Sequence, residues 1–188
     1  MKKLLITGFD PFGGSDKNPA QLAVEQLPNT VGSFRLTKRI VPTVFGLASQ
    51  LVLEEAENLK PDVILCIGVA AGRDAVTPER IAVNIRDARI PDNQGNQPSG
   101  DPVVADAPAA YFATVPVKDM AAAIAARNIP ARISNSAGSF VCNDLFFAVS
   151  HRYAGSSTRV GFVHVPDLDV LSLPQIVEAL TACILGCE

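Results

Sequence analysis

No block of like charges interrupts the 188 residues, and the formal net charge is only −3. Nucleic acid would call for a basic stripe and an anionic membrane surface for clustered lysines, so neither partner is expected. No apolar run approaches the roughly 20 residues that a membrane span needs. The start, MKKLLITGFD, imitates a signal peptide for a few residues only. Its apolar run stops at Gly8, and Asp10-Pro11 follow, so export is not expected. The four cysteines, Cys66, Cys142, Cys183 and Cys187, include no CxxC pair and imply no disulfide framework. A reducing cytoplasm suits such a chain. Cys183 and Cys187 stand four apart, but no His or acidic cluster accompanies them, so no metal is expected. The glycine-rich GFDPFGG lacks both GxGxxG and GxxxxGK[ST] spacing, which argues against a phosphate loop and a nucleotide cofactor. Histidine is scarce: His151 and His164 are the whole supply.

What is present is apolar and regularly patterned. Hydrophobic residues make up 48% and charged residues 19% of the chain, the balance of a globular protein. The length suits one domain over residues 1–188, with no linker, repeat or low-complexity tract. Strands are expected at Lys3–Gly8, Arg35–Val41, Asp62–Gly68, Glu79–Ile85, Ala131–Ser136 and Thr158–Val165. Between them lie helices. One opens on an Asn18 cap with Pro19 in its first turn, and one runs from Phe45 until Pro61 ends it. Further helices are expected at Val117–Arg127, at Ser139–Tyr153 and from Ser172, where Gln175 completes a capping box. DVILCIG reads as a strand covered on both faces. Only ten residues separate it from ERIAVNI, too few for a helical crossover, so that strand is expected to run antiparallel. The fold class follows as α/β: three layers, α/β/α, on a mixed, mostly parallel central sheet. Residues 87–109, rich in Pro, Asp, Asn, Gln and Gly, form a long polar loop of the kind that serves function or moves.

Cys142 is the residue most open to chemistry. It follows the Ser-Ala-Gly-Ser turn of SAGSFVCN at the mouth of a helix, where a cysteine pKa of about 8.5 can fall to roughly 3.5–7.5. A thiolate there is expected. Cys66, inside an apolar strand, and Cys183 and Cys187, on the last helix, read as small buried residues. His164, in GFVHVP, stands at the C-terminal end of a strand, where ligand sites of open α/β sheets gather. His151, near the end of a helix in SHRY, reads as a solvated surface residue. Glu79 shares strand parity with Ile81, Val83 and Ile85, which would turn it inward. A buried carboxylate needs a partner, and His164, Arg73 and Arg80 are the choices. Cys142, His164 and Glu79 together can act as nucleophile, base and orienter, which suits acyl transfer. Phe9 and Phe12, on the glycine-rich loop after the first strand, could sandwich a flat neutral ring, although a phenylalanine by default packs inside.

ITGFDPFGG with NPA, VPTVF, TPERIAVNIRDARIPDNQGNQP, SAGSFVCN with LFF, and GFVHVP occur in this order across residues 4–166. In these segments the chain resembles the pyroglutamyl peptidase I family of cysteine peptidases. The resemblance implies an exopeptidase that removes N-terminal pyroglutamate from peptides, works without cofactors in the cytoplasm, and assembles as a homo-oligomer, a tetramer or a dimer. It places Glu79, Cys142 and His164 on the catalytic triad and Arg89 on an arginine of the active site. It places Phe9 and Phe12 on the residues that hold the pyroglutamyl ring, and Phe140 and Val141 on the substrate-contacting segment beside the nucleophile. Two departures stand out: Val69 replaces a glutamine typical of the family, and the stretch after HVP is short. They keep open a non-catalytic or altered-specificity member that binds a pyroglutamyl-like ring.

Overall fold

The computed structural model describes residues 1–188. Ten strands and five helices follow one another along the chain. The first half runs β1 (Lys2–Phe9), α1 (Pro19–Gln26), β2 (Thr30–Val31), β3 (Phe34–Val41), α2 (Leu47–Leu59) and β4 (Val63–Val69). Four short strands come next: β5 (Thr77–Pro78), β6 (Ile81–Val83), β7 (Arg86–Asp87) and β8 (Ser99–Asp101). The chain closes with β9 (Ala110–Phe112), α3 (Val117–Ala125), α4 (Val141–Arg152), β10 (Arg159–Val165) and α5 (Leu173–Leu185).

The main sheet has the order β2-β3-β1-β4-β10-β5. β3, β1, β4 and β10 run parallel, and short antiparallel strands close both edges. Strand alternation divides the side chains between two cores. Val63, Leu65, Ile67, Val163 and Val165 face the side covered by α1, α3 and α5. Ile64, Cys66, Val160 and Phe162 face the side covered by α2 and α4. The result is the expected three-layer α/β/α arrangement on a mixed, mostly parallel sheet. Local signals set the helix starts. Asn18 caps α1 by accepting from the Ala20 amide at 2.9 Å, and Ser172 with Gln175 forms the capping box of α5.

Two expected strands turn out differently. Glu79–Ile85 is not one strand: β5 ends just before it, and within it only Ile81–Val83 forms a strand. Thr77–Pro78 pairs antiparallel with β10, while Ile81–Val83 leaves the main sheet and pairs with β9. The switch is visible in successive amides: Glu79 donates to the Phe162 carbonyl at 2.8 Å and Arg80 to the Ser134 carbonyl at 2.8 Å. Ala131–Ser136 makes only single bridges, Ala131 with Val76 and Ser134 with Glu79, and forms no strand. The polar loop is held in place. Asp92 accepts from the amides of Phe45, Gln94 and Asn96 at 2.8–2.9 Å, and β7 and β8 pair within it.

Candidate active site

The nucleophile candidate stands at the second position of α4. Gly138, in the left-handed region at φ +81°, turns the chain into the helix. Ser139 then pins the turn by donating to the Asp87 carbonyl at 2.7 Å and accepting from its amide at 2.9 Å. Phe140 is the N-cap, and no side chain caps the first turn. Its leading amides are therefore available to an incoming oxyanion. The two residues after Cys142 anchor that turn from below. The Asn143 side chain donates to the carbonyls of Val83 and Ile85 at 2.8 and 3.0 Å and accepts from the Val83 amide at 3.0 Å. Asp144 takes Arg86 Nε at 2.5 Å and the Gly46 amide at 2.9 Å. Sequence reasoning passed over both. Their signal was two polar residues inside an apolar helical run.

The sheet brings the histidine to the sulfur. His164 has the parity of Phe162, so it projects toward the layer that contains α4. Its register partner on β4 is Gly68. That glycine leaves a gap: a Cβ there would lie 2.9 Å from both Cys142 Sγ and Phe162 Cζ. The sulfur thus occupies the space over Gly68, whose backbone lies one strand spacing, about 4.8 Å, from that of His164. Behind the ring, His164 Nδ1 meets Glu79 Oε1 at 2.7 Å. Glu79 is wholly buried and His164 nearly so. The same carboxylate oxygen accepts from Arg73 Nη1 at 2.6 Å, so two of the three partners considered for Glu79 bind together. Arg73 also donates to the Thr77 hydroxyl and to the Ser136 carbonyl.

These surroundings set the protonation states. Burial alone would raise the Glu79 carboxyl, but the hydrogen bond and charge of His164, with help from Arg73, bring it below its ordinary value. Burial lowers His164, Arg73 lowers it further, and Glu79 only partly compensates. The imidazole is therefore a neutral base at neutral pH. Burial and the Glu79 charge push the Cys142 thiol up to about 12. Burial thus works against the expected thiolate, and the helix mouth and a base that takes the proton work for it.

Cys142 and His164 open into one cavity of about 710 Å³. Phe12, Ile90, Phe140 and Arg89 line it on one side, and Val69, Arg73 and Ser136 also reach it. The Phe12 and Phe140 rings stand 6.1 Å apart, and Phe45 braces Phe140 edge-on at 5.3 Å. The expected pair of Phe9 and Phe12 does not form the walls. Phe9 is the last residue of β1 and only 2% exposed, packed in the core against Phe162, because strand parity points it under the sheet's α2–α4 face. Phe12, three residues on in the loop, is free of that parity and reaches the cavity. Val141 is likewise buried in the core, so its neighbours Phe140 and Cys142 line the cavity while Val141 packs behind them. His151 is exposed and meets the Tyr111 hydroxyl at 2.9 Å, far in role from this site. No cluster of three His, Cys, Asp or Glu residues comes together to hold a metal.

A latch fixes the Phe12 loop. Asp10 accepts from the Thr43 amide at 2.7 Å and from Asn93 Nδ2 at 3.1 Å, and Asn93 also donates to the Pro11 carbonyl at 2.9 Å. The loop bearing Phe12 and the loop bearing Arg89 and Ile90 are thus tied to each other.

Comparison with known proteins agrees with this geometry. A family model described as pyroglutamyl peptidase matches residues 2–184. A pyrrolidone-carboxylate peptidase of Streptococcus pyogenes is 48% identical over 179 residues, 94% of this chain and 81% of the relative. The crystal structure of pyroglutamyl peptidase I from Bacillus amyloliquefaciens superposes with a TM-score of 0.96 at 39% identity, over 100% of this chain and 97% of that one. The pyrrolidone carboxyl peptidase of Thermococcus litoralis gives 0.93 at 35% identity, over 100% and 93%.

Proposed function

The chain belongs to the pyroglutamyl peptidase family, and from that premise we propose that Cys142 is the nucleophile, His164 the proton carrier and Glu79 the group that orients the imidazole. The chain is a cysteine exopeptidase that hydrolyses the amide bond after an N-terminal pyroglutamyl residue of a peptide. The observation that carries the residue roles is the placing of His164, held through Nδ1 by Glu79 at 2.7 Å and sharing one cavity with Cys142.

The chemistry follows from that arrangement. As the sulfur attacks the scissile carbonyl, His164 takes the thiol proton and an S–C bond forms. The developing oxyanion is met by the amides at the mouth of α4. Glu79 stabilises the imidazolium that results. His164 then passes its proton to the leaving amine as the C–N bond breaks. A water reverses the sequence: His164 takes its proton, the oxygen bonds to the acyl carbon, and the C–S bond breaks as the thiol is restored. Phe12 and Phe140 offer the ring apolar faces, and Arg89 stands at the same end of the cavity. A pyroglutamyl ring has no free ammonium, so the apolar faces of Phe12 and Phe140 suit it and no acidic group is needed to grip a cation.

The test compares coumarin amides of pyroglutamate and proline. The pyroglutamyl amide is cleaved and the prolyl amide, which lacks the lactam, is rejected by about 10⁴ in kcat/KM. Cys142→Ser folds and is inactive. Equal cleavage of both amides, or wild-type turnover by the serine variant, overturns the reading.

We also infer a cytoplasmic, homo-oligomeric enzyme that needs no cofactor. All four cysteines are free thiols, which suits a reducing compartment. No helix is long and apolar enough to cross a membrane. Phe112, on β9, is 67% exposed, and Ile85, Ile90 and Val170 are exposed as well, which supports a self-association surface.

A further inference from the structure

A second cavity, of about 370 Å³, continues from the first. Arg73 and Ser136 wall both. Beyond them the groove runs over Thr77, Arg132 and residues 133–135, and only one of its seven lining residues is hydrophobic. The combined cleft is therefore graded. Phe12 and Phe140 line the cavity that holds Cys142 and His164, and the groove that adjoins it at Arg73 and Ser136 is polar and carries Arg132 as well.

A substrate of this enzyme is graded in the same order. It begins with a flat apolar ring, has the scissile amide next, and ends in a peptide with a free carboxylate. We propose that the polar groove is the site for the leaving peptide, and that Arg132 there attracts a carboxylate of that peptide, so short peptides with a free C-terminus are favoured over their amides. The inference rests on the hydrolase reading above. It adds a direction for the chain and a residue that sets preference downstream of the cleaved bond.

Arg132 is suited to the part. Its side chain is 57% exposed, so it can turn toward a ligand, and its present partner is Asp74, itself 73% exposed. An exposed pair of this kind is weak and readily exchanged. A substrate carboxylate would compete with Asp74 for the same guanidinium. Arg73 cannot do the same, because it is committed to Glu79 and to the Ser136 carbonyl. The two acidic neighbours thus have different effects. Glu79 uses up Arg73, while Asp74 merely occupies Arg132 until something better arrives.

Opposite changes to one pair make the test. Pyroglutamyl-alanine is assayed as the free acid and as its C-terminal amide, with the pyroglutamyl coumarin amide as a reference that carries no carboxylate. Wild type is expected to favour the acid by about two- to fivefold in kcat/KM, through KM, and the preference should fade with salt. Arg132→Gln should abolish the preference, and Asp74→Asn should widen it. Each ratio is read within one protein, and cleavage of the coumarin amide shows that the catalytic centre of that protein is intact. An acid-to-amide ratio that is the same in all three proteins overturns the inference while leaving the hydrolase reading intact. Failure of wild type to cleave the coumarin amide overturns both.

Discussion

A single oxygen, Glu79 Oε1, serves an imidazole and a guanidinium: His164 Nδ1 at 2.7 Å and Arg73 Nη1 at 2.6 Å. The arginine therefore acts on the histidine through the carboxylate and through its own charge. The charged and titratable groups around His164 are Glu79, Arg73 and Cys142, and of these Arg73 opposes protonation of the ring. Arg73→Gln should let the His164 pKa rise. Since the neutral ring is the working base, the acid limb of kcat/KM should then move to higher pH. Arg73→Lys, which keeps the charge, should move it less. A profile measured from about pH 4 to pH 8 decides this, because a purely structural loss would lower the plateau without moving the limb. An unshifted limb in Arg73→Gln would refute the coupling. Sequence alone set His164, Arg73 and Arg80 as alternative partners for Glu79. It could not show two of them at once, because side-chain reach across 85 residues of separation depends on register between strands, not on spacing along one.

At the scale of elements, the site depends on what β4 lacks. Gly68 is opposite His164 in the parallel ladder and faces the same layer. Its backbone is not in the left-handed region, so an alanine would suit the strand itself. The obstacle is space: the added Cβ would meet Cys142 Sγ and the Phe162 ring, each at 2.9 Å. Neither is a flexible chain end, so sulfur or ring must shift. Gly68→Ala is expected to cost about 1–3 kcal/mol of stability. Turnover should fall much further, because reacting atoms tolerate little displacement. Thermal unfolding beside kcat/KM tests this, and full activity in a folded Gly68→Ala protein would show that the sulfur does not need the gap. The strands β1, β4 and β10 were legible because each is a mostly apolar run that stays in one sheet. The ERIAVNI segment was not, because its chain crosses from β10 to β9 at Glu79-Arg80, and a period of two reads the same in either sheet. Glu79 is buried as expected, yet Ala82 is buried further along where parity favoured Ile81 and Val83, which are half-buried. The Ser139–Tyr153 helix was legible for a different reason: its turn, its cap and its apolar face lie in one stretch.

The whole molecule has two cores, of 27 and 18 buried residues, on opposite faces of the same strands. We read residues 1–188 as one folding unit on that ground. The exposed area of 8313 Å² supports it, since a compact monomer of 19.8 kDa presents about 8,600 Å². A fold so well closed has little reason to leave a large aromatic in water. Phe112 is 67% exposed all the same, on β9, whose outer edge pairs with no further strand. A second copy of this chain would cover both the ring and the edge. Phe112→Glu should then leave folding almost untouched, as surface changes usually fall within about 0.5 kcal/mol. The coumarin amide should still be cleaved, because no residue of the cavity is altered. What should change is mass in sedimentation: wild type runs as an oligomer, and the variant shifts toward the monomer as burying an unpaired carboxylate opposes the contact. A wild type that sediments as a monomer, or a variant of unchanged mass, would show that Phe112 is not part of a self-association surface. An exposed ring and an open edge together point to association, because each alone is common on proteins and the pair on one short strand is what strand-edge pairing between copies requires.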